Sequence, residues 1–112
     1  MTRALFALDL EDDPDLTAAY EARHAPGSVW PEIVRDIRQR GYREMEIWRV
    51  ANRLVMLAEI APEGLAASDP DVQPIVDQWE SEMDAYQRPI ASGSPKWLPM
   101  TRIFALDEQP PA

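Results

Sequence analysis

Cysteine is absent from the 112 residues, and with it go disulfide frameworks, thiolate nucleophiles, iron–sulfur clusters and cysteine-built zinc sites. The absence suits a reducing compartment, and the expectation is a cytoplasmic protein. Histidine is nearly absent too, His24 being the single one. It is therefore the one side chain whose ordinary pKa, about 6.5, falls where proton transfer near neutrality needs it. One histidine and scattered carboxylates offer no ligand spacing for an ion, so neither metal nor cofactor is expected. Positive charge is scarce as well: 11 Lys and Arg against 20 Asp and Glu leave a net charge of −9. Such a surface repels polyphosphate and anionic lipid, which argues against nucleic acid and membrane as partners. No apolar run reaches the roughly 18 residues of a membrane span, and the start is too short and too quickly acidic for a secretory signal. A glycine-rich phosphate cradle and a Ser/His/Asp order are missing in the same way.

What remains is ordinary globular material. The chain is 46% hydrophobic and 28% charged, with four Trp, enough to bury one modest core. Against about 150 residues per domain, the length predicts a single domain over 1–107 and a loose proline-bearing tail over 108–112.

Residues 3–10 form a short apolar run before an acidic, proline-bearing turn, which predicts a strand. Asp15 is the expected cap of a helix that starts near Leu16, carries Ala19, Tyr20 and Arg23 on one face, and breaks at Pro26 and Gly27. Ser28 is expected to cap a second helical segment over 29–40, with Pro31 in its first turn, Trp30, Ile33 and Ile37 inside and Gly41 as the stop. Over 42–50 the period becomes two, with Met45 and Ile47 on one side and Glu44, Glu46, Trp48 and Val50 on the other. A short connection leads to a second apolar strand over 54–60, making a hairpin. Val72, Ile75, Val76, Trp79, Met83 and Tyr86 recur at helical spacing over 71–86, and residues 98–106 read as a closing strand. Strand, helix, strand, strand, helix, strand is the ferredoxin-like split βαβ order of an α+β domain, with the helices on one face of an antiparallel sheet. Apolar Leu57, Trp48 and Phe104 would leave the other face uncovered, which predicts a homodimer closing as a dimeric α+β barrel.

Tyr20, Arg23 and His24 stand at i, i+3 and i+4, so they share a helix face. As a site, His24 would move protons while Tyr20 and Arg23 hold ligand oxygens. The same three would equally serve as a core tyrosine, an ion-paired arginine and a cap on the helix C-terminus. Four Trp supply flat rings of the kind a sugar's C–H face packs on, yet Trp30 and Trp79 also fit a core, and Trp48 and Trp97 an interface. Glu59 lies inside an otherwise apolar strand and Glu80 follows Trp79. A buried carboxylate there would be a proton-transfer group, or else the partner of Arg23, Arg49 or Arg102.

Taken together, Tyr20-Glu-Ala-Arg23-His24, Trp30-Pro31-Glu32-Ile33, Gly41, Glu59-Ile60 and Gln78-Trp79-Glu80 with Met83 resemble the L-rhamnose mutarotase family across nearly the whole chain. The resemblance implies a cofactor-free dimer of ferredoxin-like subunits that interconverts the α and β anomers of a 6-deoxy-hexose. By it, His24 matches the catalytic histidine, Tyr20 a sugar-binding tyrosine and Trp79 the first of a tryptophan pair. Departures are a longer gap between His24 and Trp30, Met45 where rhamnose-acting members carry tyrosine, and Glu80 in place of the second tryptophan. They leave L-rhamnose and L-fucose both open as the sugar. Ring opening needs two proton-transfer groups: His24 is one, with Glu80, Glu59 or a water as the other, while Tyr20, Arg23, Trp30, Met45 and Trp79 would hold substrate. The rival readings are a cofactor-independent monooxygenase on the same scaffold and a sugar-binding module without turnover.

Overall fold

A computed structural model describes residues 2–93 and 95–111. It begins with β1 (Thr2–Leu10), followed by α1 (Pro14–Arg23) and α2 (Pro31–Arg40). The hairpin β2 (Tyr42–Val50) and β3 (Arg53–Ile60) comes next, then α3 (Gln73–Met83), two short strands, β4 (Gln87–Arg88) and β5 (Leu98–Pro99), and a 3-10 turn at Leu106–Glu108. The sheet is antiparallel in the order β2-β3-β1-β4, with β5 also on β1.

Alternation decides which side of the sheet each residue serves. Leu8 pairs with Leu54 and Phe6 with Met56, and Ile47 of β2 meets Met56 from the other edge. This inner face receives all three helices: Leu10 and Leu54 of the sheet pack with Tyr20 of α1, Ile33 of α2, and Trp79 and Met83 of α3. The outer face carries Leu5 opposite Leu57, Ala7 opposite Val55, and Trp48 opposite Val55. No helix covers it among the described residues, and Trp48 and Val50 remain 65% and 69% exposed.

Proline shifts two helix starts from those expected. The residue before proline is pushed out of the helical region, so Asp13 (ψ 117°) and Trp30 (ψ 133°) stay extended and the helices begin at Pro14 and Pro31. Asp13, not Asp15, is the N-cap of α1, its Oδ1 accepting from the Asp15 and Leu16 amides at 2.9 and 3.1 Å. Ser28 caps nothing: α2 has no side-chain cap, and the Ser28 amide closes a turn onto the Ala25 carbonyl. The third helix is likewise shorter than its apolar period, with Tyr86 beyond it in a turn onto Met83.

The closing strand is the larger correction. Only Leu98 and Pro99 of the expected 98–106 run are laddered, against Ala7 and Phe6, and the Met100 amide adds one bond to the Leu5 carbonyl at 2.8 Å. In this antiparallel register the run heads toward Thr2, where β1 begins, and Pro99 has no amide to continue a ladder. Past that point the chain leaves the sheet, with Ile103, Phe104 and Leu106 at 94%, 63% and 74% exposure.

Two features of the backbone shape the inner face. A bulge between Tyr42 and Glu44 sets Tyr42 opposite Ile60 and Met45 opposite Ala58, so Tyr42 and Met45 point to the same side although three residues apart. Gly41 ends α2 in the left-handed region at φ 115° and sits against the following loop, its carbonyl accepting from the Ala61 amide at 2.9 Å. A Cβ there would lie 2.8 Å from the Gly64 carbonyl oxygen. Gly41→Ala is therefore expected to cost about 1–3 kcal/mol of stability, read as a lower denaturation midpoint in urea.

Candidate active site

A cavity of about 600 Å³ opens between the inner face of the sheet and the helices. Ile33, Ile37, Met56 and Met83 give it apolar walls, and its polar and charged lining comes from Tyr20 and His24 at the end of α1, Asp36, Arg38 and Arg40 of α2, Tyr42, Arg43 and Glu44 of β2, Glu80 of α3 and Gln87 of β4. Met45 and the Trp79 ring also line it.

His24 is the residue immediately after α1, and its Nδ1 lies 2.8 Å from the Tyr20 carbonyl oxygen one turn back. A carbonyl only accepts, so Nδ1 carries the hydrogen and the neutral ring keeps its lone pair on Nε2. The cap foreseen on the helix C-terminus is therefore made by Nδ1 and leaves Nε2 free of it. Stacking fixes the ring plane: the Tyr20 and His24 centroids are 4.2 Å apart, and Trp79 meets His24 edge-on at 5.8 Å. Burial pushes the His24 pKa below its ordinary 6.5, the Tyr20 carbonyl opposes that shift, and the charge on Arg23 adds to it. His24 therefore rests as a neutral base.

Tyr20 is 3% exposed, and its hydroxyl accepts from Gln87 Nε2 at 3.2 Å. Burial raises its pKa first, Gln87 works against that, the Glu80 charge adds to it and Lys96 opposes it. The phenol stays protonated and keeps a hydrogen to donate. Glu80 stands at the cavity mouth, where Lys96 Nζ bonds its Oε2 at 2.8 Å and Asp84 Oδ1 at 2.6 Å. Burial alone would lower the Lys96 pKa, but the two carboxylates win and raise it, which keeps a full positive charge beside Glu80.

Arg23, Trp30 and Glu59 do not line the cavity. Arg23 turns sideways: its guanidinium lies 5.0 Å from the Trp79 ring centroid and 6.0 Å from that of Trp30, and it bonds Glu82 Oε1 at 3.0 Å. Trp30 stands behind Trp79 in an edge-to-face contact at 5.0 Å. Both contact the Trp79 ring and neither is part of the cavity lining. Glu59 belongs to the outer face and pairs with Arg3 at 3.5 Å across the β1–β3 ladder, so its partner is none of Arg23, Arg49 or Arg102, and it is remote from His24's cavity.

The sequence profile of the L-rhamnose mutarotase family matches residues 3–106. The chain belongs to the L-rhamnose mutarotase family. An L-fucose mutarotase of Xanthomonas campestris pv. campestris is 41% identical, the match covering 96% of this chain and 90% of that protein. An L-rhamnose mutarotase of Cronobacter sakazakii is 28% identical over 96% of this chain and all of its own length. In three dimensions the chain is similar to a crystal structure of an L-rhamnose mutarotase from Formosa agariphila, with a TM-score of 0.69 over 95% of this chain and 99% of that one at 22% identity. That likeness agrees with the ferredoxin-like α+β reading of the strand order.

Among the cavity residues that sequence reasoning gave no role are Asp36 and Tyr42. Asp36 had a signal, since it lies three residues after Ile33 and just before Ile37 on the apolar face of α2, and it is 5% exposed. Tyr42 depends on the bulge and Gln87 on a ladder with the opposite end of the chain, neither of which the local sequence announces.

The His24 shift fixes the sign of a pH effect. Its folded pKa is below the unfolded one, so the unfolded chain binds the proton more readily, and the stability contribution present above about pH 6.5 is lost as pH falls through the folded value. Melting curves collected from roughly pH 7.5 down to 5 should show this loss in the wild type and a shallower decline in His24→Gln, and the His24 ring protons should titrate below 6.5 by NMR.

Proposed function

We propose that the chain interconverts the α and β anomers of a 6-deoxy-L-hexose, with L-fucose first among its sugars. The observation that carries the reading is the Tyr20 carbonyl holding His24 Nδ1–H, which leaves Nε2 as the basic nitrogen of a neutral imidazole that lines the cavity. Family membership supports the activity, and the 41% identity to the L-fucose mutarotase, against 28% to the L-rhamnose enzyme, supports the sugar. In the proposed reaction Nε2 takes the proton of the anomeric hydroxyl, the C1–O5 bond breaks, and the ring oxygen gains a proton from a water beside the Glu80–Lys96 ion pair, the histidine returning its proton to that water as the ring recloses. Rotation about C1–C2 in the open aldehyde exposes the other carbonyl face, and reversal of the proton transfers closes the opposite anomer. Tyr20 donates to a sugar oxygen and the Trp79 ring faces the sugar's C–H surface.

The working unit in this reading is a homodimer in the cytoplasm. Trp48 and Val50 on the outer sheet face, and Ile103 and Phe104 beyond β5, are large apolar side chains left 63–94% exposed, which supports a covering partner. A second copy laid on that face would cover the sheet as the helices cover the inner face.

Saturation transfer between the anomer resonances of L-fucose should speed up with the wild-type protein, and His24→Ala should lose about 10²- to 10⁴-fold of that acceleration. Full acceleration in His24→Ala would sink the assignment of the base. Sedimentation should give twice the chain mass for the wild type and a lighter species for a Trp48→Glu, Phe104→Asp double variant; a wild type at the mass of one chain would remove the dimer.

A further inference from the structure

The inner side of α2 carries a charge where its pattern calls for an apolar residue. Asp36 lies three positions after Ile33 and one before Ile37, in the stripe that meets the sheet, and it is 5% exposed. Among the described residues it is the one charged side chain buried to that degree. It lines the cavity, yet among the described residues it has no hydrogen-bond donor and no ion-pair partner. Arginines of the cavity wall are engaged elsewhere: Arg40 donates to the Ala66 carbonyl at 3.0 Å with its guanidinium 5.8 Å from the Tyr42 ring centroid, and Arg43 pairs with Glu63 at 3.6 Å. Both Asp36 carboxylate oxygens keep accessible surface, unlike the sealed amide oxygen of Gln87. A carboxylate in an apolar stripe is costly unless hydrogen bonds reach it. Water serves such oxygens in an open cavity, and a ligand that displaces the water must bring donors of its own.

We propose that Asp36 is a sugar-binding residue that accepts from two adjacent hydroxyls of the 6-deoxyhexose, the C3 hydroxyl and one neighbour, one on each carboxylate oxygen. The inference rests on the mutarotase reading of the cavity. A carboxylate's two oxygens suit a pair of neighbouring donors, and adjacent hydroxyls that stand gauche on a pyranose chair supply one. A 6-deoxyhexopyranose has hydroxyls only at C1 to C4, because O5 closes the ring and C6 is a methyl group. His24 engages the C1 hydroxyl, so the adjacent pairs left are C2 with C3 and C3 with C4. Both contain the C3 hydroxyl. L-Fucose and L-rhamnose differ at C2 and C4 and agree at C3, so Asp36 anchors either sugar at C3 while its second hydrogen bond depends on the epimer. The same carboxylate repels an anionic sugar, which restricts the ligand to a neutral one.

The test compares wild type, Asp36→Leu and Asp36→Asn with L-fucose, L-rhamnose and the 2-, 3- and 4-deoxy-L-fucoses, taking Kd from NMR titration and KM and saturated rate from anomer exchange. The 3-deoxy sugar is expected to bind the wild type at least about tenfold more weakly than L-fucose does. Asp36→Leu should raise Kd and KM for L-fucose by at least about tenfold, with a far smaller change in the saturated rate, and should bind L-fucose and its 3-deoxy form alike. Asp36→Asn, which keeps the shape and one acceptor, should fall between. Without ligand, Asp36→Leu should melt no lower than the wild type, because the carboxylate has no protein contact to lose. A wild type that binds 3-deoxy-L-fucose as tightly as L-fucose overturns the proposal and needs no variant. Unchanged affinity in both variants overturns it as well, and so does a lower-melting Asp36→Leu protein or a saturated rate that falls while KM stays put, the mark of a proton-transfer group. Sugar binding without faster exchange in the wild type removes the mutarotase reading and leaves the Kd comparisons to decide on Asp36.

Discussion

The hydrogen bond between the Tyr20 carbonyl and His24 Nδ1, 2.8 Å long and one helical turn in span, is the constraint on which the site depends. It needs a helix that ends where α1 ends, because only an unsatisfied carbonyl of the last turn is available to an imidazole. The helix in turn is fixed at its far end by Asp13 and Pro14, so the position of His24 is set eleven residues away by a cap. Tyr20 is held at both extremities, its carbonyl by His24 and its hydroxyl by Gln87. One buried residue thereby ties the helix terminus to the sheet edge and puts a basic nitrogen and a phenol into the same cavity.

Rigid support is concentrated behind the aromatic rings and loose support at the mouth. Trp79 is backed by Trp30 and by an arginine that Glu82 retains. Glu82 itself is held low in pKa by Gln78 and then by Arg23, so the clamp stays charged. At the mouth, Glu80, Lys96 and Asp84 form a cluster whose carboxylates are more than half exposed. Pairs of that kind add little stability and are screened by salt. They can follow a ligand in and out, whereas the Trp79 platform cannot.

Much of the fold was legible because its signals are local. The switch from a period of 3.6 to a period of two at Tyr42, the stop at Gly41 and the hairpin around Ala51 and Asn52 are each written in a few consecutive residues. The shared helix turn of Tyr20 and His24 is local in the same sense. Arg23 shows where such reasoning ends: its spacing gives it the same helix face, but a long side chain goes where charge and π-density are, and those come from α2's N-terminus and α3. Glu59 misled for the opposite reason. Its apolar neighbours suggested burial, while the alternation of β3 sends it to the outer face with Arg3. The closing strand failed because a run of residues with strand propensity still needs an edge to pair with: antiparallel to β1 from Ala7, it heads toward Thr2, where β1 begins, and Pro99 gives the ladder no amide. The placement of Gln87 rests on the same kind of long-range pairing.

The edge-on contact between His24 and Trp79 makes the base optically readable. An imidazolium withdraws excited-state electron density from a neighbouring indole far more effectively than a neutral imidazole does, so the emission of Trp79 dims when His24 gains its proton. Trp79 is 6% exposed, which keeps bulk quenchers from it, whereas Trp48 stands in solvent on the far side of the sheet and can be silenced with iodide. With Trp48 silenced, a drop in the remaining tryptophan emission as pH falls thus carries the protonation of His24 without any label.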